Sequence, residues 1–116
     1  MKDLYTQYLG KNVQVTMDRP LGSNHPKRGF RYEVNYGFIP DTKAPDGEEI
    51  DAYILGVDTP LKKFSGKCIA VIHRLNDDDD KLIVVPESSE GITDDEIKNL
   101  TLFQEQYYKS IIIRFS

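Results

Sequence analysis

The segment Ala44-Pro45-Asp46-Gly47-Glu48-Glu49-Ile50-Asp51 packs four carboxylates into six residues, and Asn76-Asp77-Asp78-Asp79-Asp80-Lys81 sets four consecutive aspartates before a lysine. Carboxylates at that density repel one another unless something positive belongs between them. Hard divalent cations supply that charge: Mg2+ is held by a few carboxylates, several waters and substrate phosphate oxygens. Asp46, Asp51, Asp77 and Asp79 suit such a role. Positive residues gather elsewhere, in His25-Pro26-Lys27-Arg28-Gly29-Phe30-Arg31. A small polyanion joins the two kinds of cluster, provided cations cover the acidic side. Taken singly, each acidic cluster also reads as a solvated turn.

Other metal chemistries fit less well. An EF-hand loop needs alternating oxygen ligands, a glycine at its sixth position and a glutamate at its twelfth, and neither acidic segment has that pattern. His25 and His73 are far apart and lack cysteine partners at zinc-ligand spacing. The net charge of −4 argues against a nucleic-acid surface, which needs a basic face to neutralise phosphates. No apolar run approaches the roughly 18 residues of a membrane span. Met1 to Tyr8 has no secretory pattern, and the lone Cys68 cannot form an internal disulfide, so the expected location is the cytoplasm. Cys68 lies within Lys67-Cys68-Ile69-Ala70-Val71, where a buried, inert thiol is expected.

The elements that must position these groups follow from periodicity. At 116 residues the chain is expected to be one domain, 1–116, with a single core. Val13 to Met17 alternates apolar and polar residues as a half-buried strand does, and Pro20-Leu21-Gly22-Ser23 ends it. Asp51 to Gly56 reads as another strand, on which Asp51 shares a face with Tyr53 and Leu55. Asp46 and Asp51 have opposite parity, so a turn at Gly47 is needed to bring them together. Lys67 to Leu75 and Lys81 to Val85 read as a hairpin across Asn76 to Asp80. Thr93-Asp94-Asp95-Glu96 is a capping-box helix start with Ile92 and Ile97 as its hydrophobic staple, and Ile97, Leu100, Phe103 and Tyr107 then recur at helical spacing. Ser110 to Phe115 reads as a last short strand. The expected fold is mainly β with α+β character, a small closed barrel flanked by a C-terminal helix.

Taken together, these segments resemble the family I soluble inorganic pyrophosphatases. Asp46-Gly47-Glu48-Glu49-Ile50-Asp51 matches the family's acidic signature except at its third position, where Glu48 stands for an aspartate. Tyr32-Glu33-Val34-Asn35-Tyr36-Gly37-Phe38-Ile39-Pro40 resembles the segment upstream of it. Asn76 to Pro86 resembles a segment with two further metal-binding aspartates and a phosphate-binding lysine, and Tyr108-Lys109 resembles a phosphate-gripping pair. The resemblance implies an OB-like barrel and Mg2+-dependent hydrolysis of pyrophosphate, with Mn2+ as a substitute ion. It implies Asp46, Asp51, Asp77 and Asp79 as metal ligands, Tyr36, Lys81, Tyr108 and Lys109 as phosphate contacts, Tyr32 as a buttress, and Asp51 with Glu48, as general base, in the catalytic step. It also implies a homo-oligomer.

Two departures stand out. Glu48 is one methylene longer than the usual residue. The usual members have a long hairpin before the Tyr-x-x-Asn-Tyr segment, whereas only Gly22 to Arg31 bridges it here. Arg28, with Lys27 and His25, is inferred from charge and position as a replacement for the phosphate contacts of that hairpin, and Asp18 for its glutamate. Two other readings stay open on the residues alone: a hydrolase of an organic or nucleotide diphosphate, and a metal-stabilised OB-like binding module without activity.

Overall fold

Alternation of apolar and polar side chains decides how the barrel closes. A computed structural model describes residues 2–114. In chain order it contains helix α1 (Lys2–Thr6), strands β1 (Asn12–Arg19), β2 (Asn35–Ile39), β3 (Ile50–Ile54), β4 (Lys63–Arg74) and β5 (Lys81–Val85), a 3-10 turn at Glu87–Ser89, helix α2 (Asp94–Glu105) and strand β6 (Ser110–Arg114). The strands hydrogen-bond in the order β1-β2-β3-β5-β4-β6, and β1 also pairs with β4. That extra pairing closes five strands into a barrel and leaves β6 outside, on the far half of β4. The expected mainly β, OB-like barrel with a C-terminal helix is therefore what forms.

Closure leaves the wall with two buried faces. Val13, Val15, Ile50, Ala52, Ile54, Val71, Leu82 and Val84 form one cluster, which fills the barrel. Tyr36, Tyr53, Leu55, Ala70, Ile72, Ile83 and Val85 form a second cluster with Ile97 and Phe103 of α2. Residues of one parity thus point inward and those of the other lie beneath the helix. β5 is buried along its whole length because both its faces are covered.

The hairpin between β4 and β5 forms as expected, with a bulge between Cys68 and Ala70. Cys68 is fully buried, and burial pushes its thiol up to about 12. The capping box at Thr93 is complete, with Glu96 N–H donating to the Thr93 hydroxyl and Thr93 N–H donating to the Glu96 carboxylate. The helix face differs from the expected stripe. Leu100 is exposed and Tyr107 lies past the helix end, while Ile97, Thr101, Phe103, Gln104 and Glu105 are buried. Polar groups beneath the helix turn that face toward Gln104 and Glu105. β2 and α1 are elements that the periodicity of the sequence does not announce. Of the expected final strand, Phe115 lies outside the described residues.

Gly37 is where β1 and β2 come closest. A Cβ there would run into the Thr16 carbonyl oxygen and sit 2.8 Å from Met17 Cα, both backbone atoms that cannot swing aside. Gly37→Ala is expected to destabilise the fold by about 2 kcal/mol through overpacking, read as a lowered urea midpoint.

Candidate functional site

The site is built on the outer barrel face, where α2 ends. In the parallel β3–β5 ladder Asp51 lies opposite Lys81. In the antiparallel β4–β5 ladder Lys81 lies opposite Ile72, so Arg74, two residues further along β4, emerges on the same face. Tyr36 joins them from β2, where it pairs with Tyr53 of β3. Four strands thereby bring an aspartate, a lysine, an arginine and a tyrosine to one wall. The end of α2 and the residues after it supply Gln104, Tyr107 and Tyr108, and the loop before β2 supplies His25 and Arg28. Together they line a cavity of about 270 Å³.

Lys81 is the centre of this wall. Its side chain is only 2% exposed, and its ammonium donates to Asp51 Oδ2 at 2.7 Å and to Asp79 Oδ2 at 2.6 Å. Burial alone would lower the lysine pKa, but the charges of Asp51 and Asp79 outweigh it and hold Lys81 above its usual value. Asp79 is raised instead, because burial and the nearby Asp51 charge prevail over the attraction of Lys81. Two carboxylates share one ammonium, so neither is fully compensated. Asp79 Oδ1 is buried without a hydrogen-bond partner among the described residues, an arrangement that calls for an explanation.

A second buried network anchors the wall to the helix. Arg74 donates from Nε to Glu105 Oε1 at 3.1 Å and from Nη2 to Glu105 Oε2 at 2.7 Å. Its guanidinium carbon lies 3.6 Å from the centre of the Tyr108 ring. The Tyr53 hydroxyl donates to Glu105 Oε2 at 2.6 Å and accepts from Gln104 Nε2, whose carbonyl oxygen accepts from the Tyr32 hydroxyl. Burial, followed by the neighbouring charges of Asp51 and Asp79, pushes Tyr36 well above the usual phenol value, so it remains a donor.

The short loop Gly22 to Arg31 is well formed. Asn24 bridges to Arg31, and His25 Nδ1 accepts from the backbone N–H groups of Lys27 and Arg28. Burial, with the positive Arg19, Arg28 and Lys27 nearby, holds His25 below its usual value. It is therefore a neutral acceptor that shapes the loop. Arg28 sits 4.7 Å over the Tyr107 ring at the cavity mouth.

The structure thus gathers Asp51, Asp79, Lys81, Tyr36, Tyr108, Arg28, Tyr32 and Asp18 around one cavity. The others stand apart from its lining. Asp46 is exposed, and its Oδ1 accepts from Glu48 N–H at 3.0 Å within a turn that Ala44 and Gly47 close. The turn at Gly47 folds Asp46 onto its own loop, and Glu48 is exposed beside it. Asp77 Oδ1 accepts from Asp79 N–H, and its Oδ2 lies 3.4 Å from Arg74 Nη1. Lys109 lines a neighbouring groove under α2. Asp80 is structural, bonded to His73 and to the Arg74 backbone. The sequence reading missed Arg74, Gln104 and Glu105; its one signal was a charged residue ending the apolar run from Cys68.

The sequence profile of the family described as inorganic pyrophosphatase matches residues 10–116. The chain belongs to the inorganic pyrophosphatase family. An inorganic pyrophosphatase of Rickettsia prowazekii is 36% identical over 85 residues, covering 70% of this chain and 49% of that one. One from Neisseria meningitidis is 28% identical over 128 residues, covering 92% and 71%. The chain spans about half the length of the curated rickettsial pyrophosphatases it matches. Among solved pyrophosphatases, that of Ehrlichia chaffeensis superposes with a TM-score of 0.71 at 19% identity, covering 91% of this chain and 87% of that one. That of Neisseria gonorrhoeae gives 0.66 at 26% identity, covering 84% and 74%. The first likeness carries the fold alone. Among the described residues no helix is long and apolar enough to cross a membrane.

Lys81→Met would leave Asp51 and Asp79 facing each other without their shared cation. At neutral pH the expected loss of stability is about 3 to 5 kcal/mol. Because the Asp79 carboxyl is raised, its ionised form opposes folding above that value, and protonation relieves the strain as pH falls through it. The gap between variant and parent in urea unfolding should therefore shrink as the pH is lowered through the carboxylate range.

Proposed function

We propose that this chain hydrolyses inorganic pyrophosphate to two phosphates in the cavity around Lys81, with a divalent cation, Mg2+ or Mn2+, as its partner. One observation carries the reading: Asp51 and Asp79 converge on one buried ammonium while Asp79 Oδ1 stays buried and unpaired. Among the described residues no group of three His, Cys, Asp or Glu side chains stands ready to hold a metal by itself. Two carboxylates and an unpaired oxygen nevertheless suit Mg2+, which completes its shell with water and substrate phosphate rather than an all-protein cage. Bound there, such an ion acidifies a coordinated water and offsets charge on the phosphoryl group.

The remaining roles belong to the chain's own side chains. Arg28 at the cavity mouth and Lys81 on its wall receive phosphate oxygens, and the hydroxyls of Tyr36 and Tyr108 add donors. These donors stabilise the leaving phosphate as the bridging P–O bond breaks and its electron pair goes to that oxygen. Asp18 also lines the cavity, and burial raises its carboxyl above the ordinary range. A carboxylate shifted that way is better matched to taking a proton from water, so Asp18 is assigned the base role in place of Glu48, which is outside the cavity lining. Tyr32 holds Gln104 and, through it, the wall. Asp46, Asp77 and Lys109 have no part in this scheme.

The test is phosphate release from pyrophosphate with Mg2+, with EDTA, and with organic diphosphates in place of pyrophosphate. Turnover should require the metal and favour pyrophosphate, and Asp51→Asn should lower it at least about 100-fold. Release no faster than the metal blank would overturn the assignment, whereas faster cleavage of an organic diphosphate would move the substrate.

A further inference from the structure

Arg74 is a cavity side chain that no motif singled out. It is 4% exposed, yet it lines the cavity. Its carboxylate partner and its stacking partner fix its plane, through the two bonds to Glu105 and the Tyr108 ring beneath it. A guanidinium has five N–H donors. Three make hydrogen bonds, two to Glu105 and a long one to Asp77, which leaves two without a hydrogen-bond partner among the described residues.

The position also matters. Arg74 Nη1 lies 3.4 Å from Asp77 Oδ2 and 4.0 Å from Asp79 Oδ2. Those are the two aspartates of the hairpin that the sequence pattern offers to a metal, and the space between them is already faced by a permanent positive charge. Asp46, which the resemblance offers as a further ligand, accepts from Glu48 N–H within its own exposed turn. Two carboxylates converge on Lys81 at the cavity wall, and a guanidinium faces the hairpin aspartates.

We propose that Arg74 is a substrate-binding residue that acts as the second cation of the diphosphate site, its two remaining N–H groups taking oxygens of one phosphoryl group. The site then needs one divalent ion per chain. This rests on the diphosphate reading above, but it concerns binding and ion count, so it can fail separately from turnover. A planar, preorganised fork suits phosphate oxygens, and Glu105 and Tyr108 prevent it from swinging away.

Two measurements test this. Mn2+ bound in the presence of imidodiphosphate, a diphosphate with a nitrogen bridge, is counted on the unaltered chain by electron paramagnetic resonance. One ion per chain is expected, and two tightly bound ions would overturn the proposal. Imidodiphosphate binding in EDTA is then measured by calorimetry on Glu105→Gln and on Arg74→Gln combined with Glu105→Gln, two variants that differ only in the guanidinium. The double variant should bind about 10- to 100-fold more weakly than Glu105→Gln alone. If Arg74 only ties β4 to the helix, the two variants will bind alike, and the assignment falls. The Mn2+ count needs no variant, so a misfolded double mutant leaves the proposal exposed to refutation.

Discussion

The arrangement of this protein turns on one buried ammonium. Lys81 sits in a fully covered strand and is held charged by two aspartates that reach it from different parts of the chain, one across a parallel ladder and one from a hairpin loop. A lone charge in such a place would be expelled or neutralised. Pairing it with two carboxylates keeps it charged, while Asp79 Oδ1 stays buried without a hydrogen-bond partner among the described residues. The raised Asp79 carboxyl is the electrostatic consequence of that crowding.

The helix is fastened by the same physics. Its buried face is only partly apolar, with Ile97 and Phe103 packing on the barrel while Gln104 and Glu105 carry polar links to Tyr32, Tyr53 and Arg74. Apolar packing sets how closely the helix lies, but it leaves rotation and sliding weakly determined. The polar chain removes that freedom, because any shift would leave a buried carboxylate or guanidinium unpaired. Tyr108 stacks on Arg74 as well, which adds a contact between the cavity wall and the residues that follow the helix.

The short loop before β2 is held by its own hydrogen bonds and ring contacts. Ten residues, Gly22 to Arg31, fold onto a neutral His25 that accepts two backbone N–H groups, and they lay Arg28 across Tyr107. Phe30 wedges between His25, Tyr32 and Phe103, with ring centres 4.8 to 5.8 Å apart. An aromatic cluster and one arginine thus stand beside the cavity.

How much of this could be read beforehand divides along a physical line. Strand alternation, the β4–β5 hairpin, the Thr93 cap and the burial of Cys68 depend on neighbours a few residues apart, so periodicity and turn chemistry sufficed. The ordered segments around Asp51, Lys81, Tyr36 and Tyr108 were enough to suggest a family and half of the cavity lining. Whether Asp46 would reach Asp51 was undecidable from spacing, because it depends on which way one turn folds, and Asp46 folds onto Glu48 N–H. Arg74, Gln104 and Glu105 were invisible for a related reason. A charged or amide residue at a strand or helix end is ordinarily solvated, and only the meeting of two elements 31 residues apart in sequence makes Arg74 and Glu105 a buried pair. Local chemistry named the carboxylates; the register between β3, β5 and β4 and the docking of the helix decided which of them would share a cation.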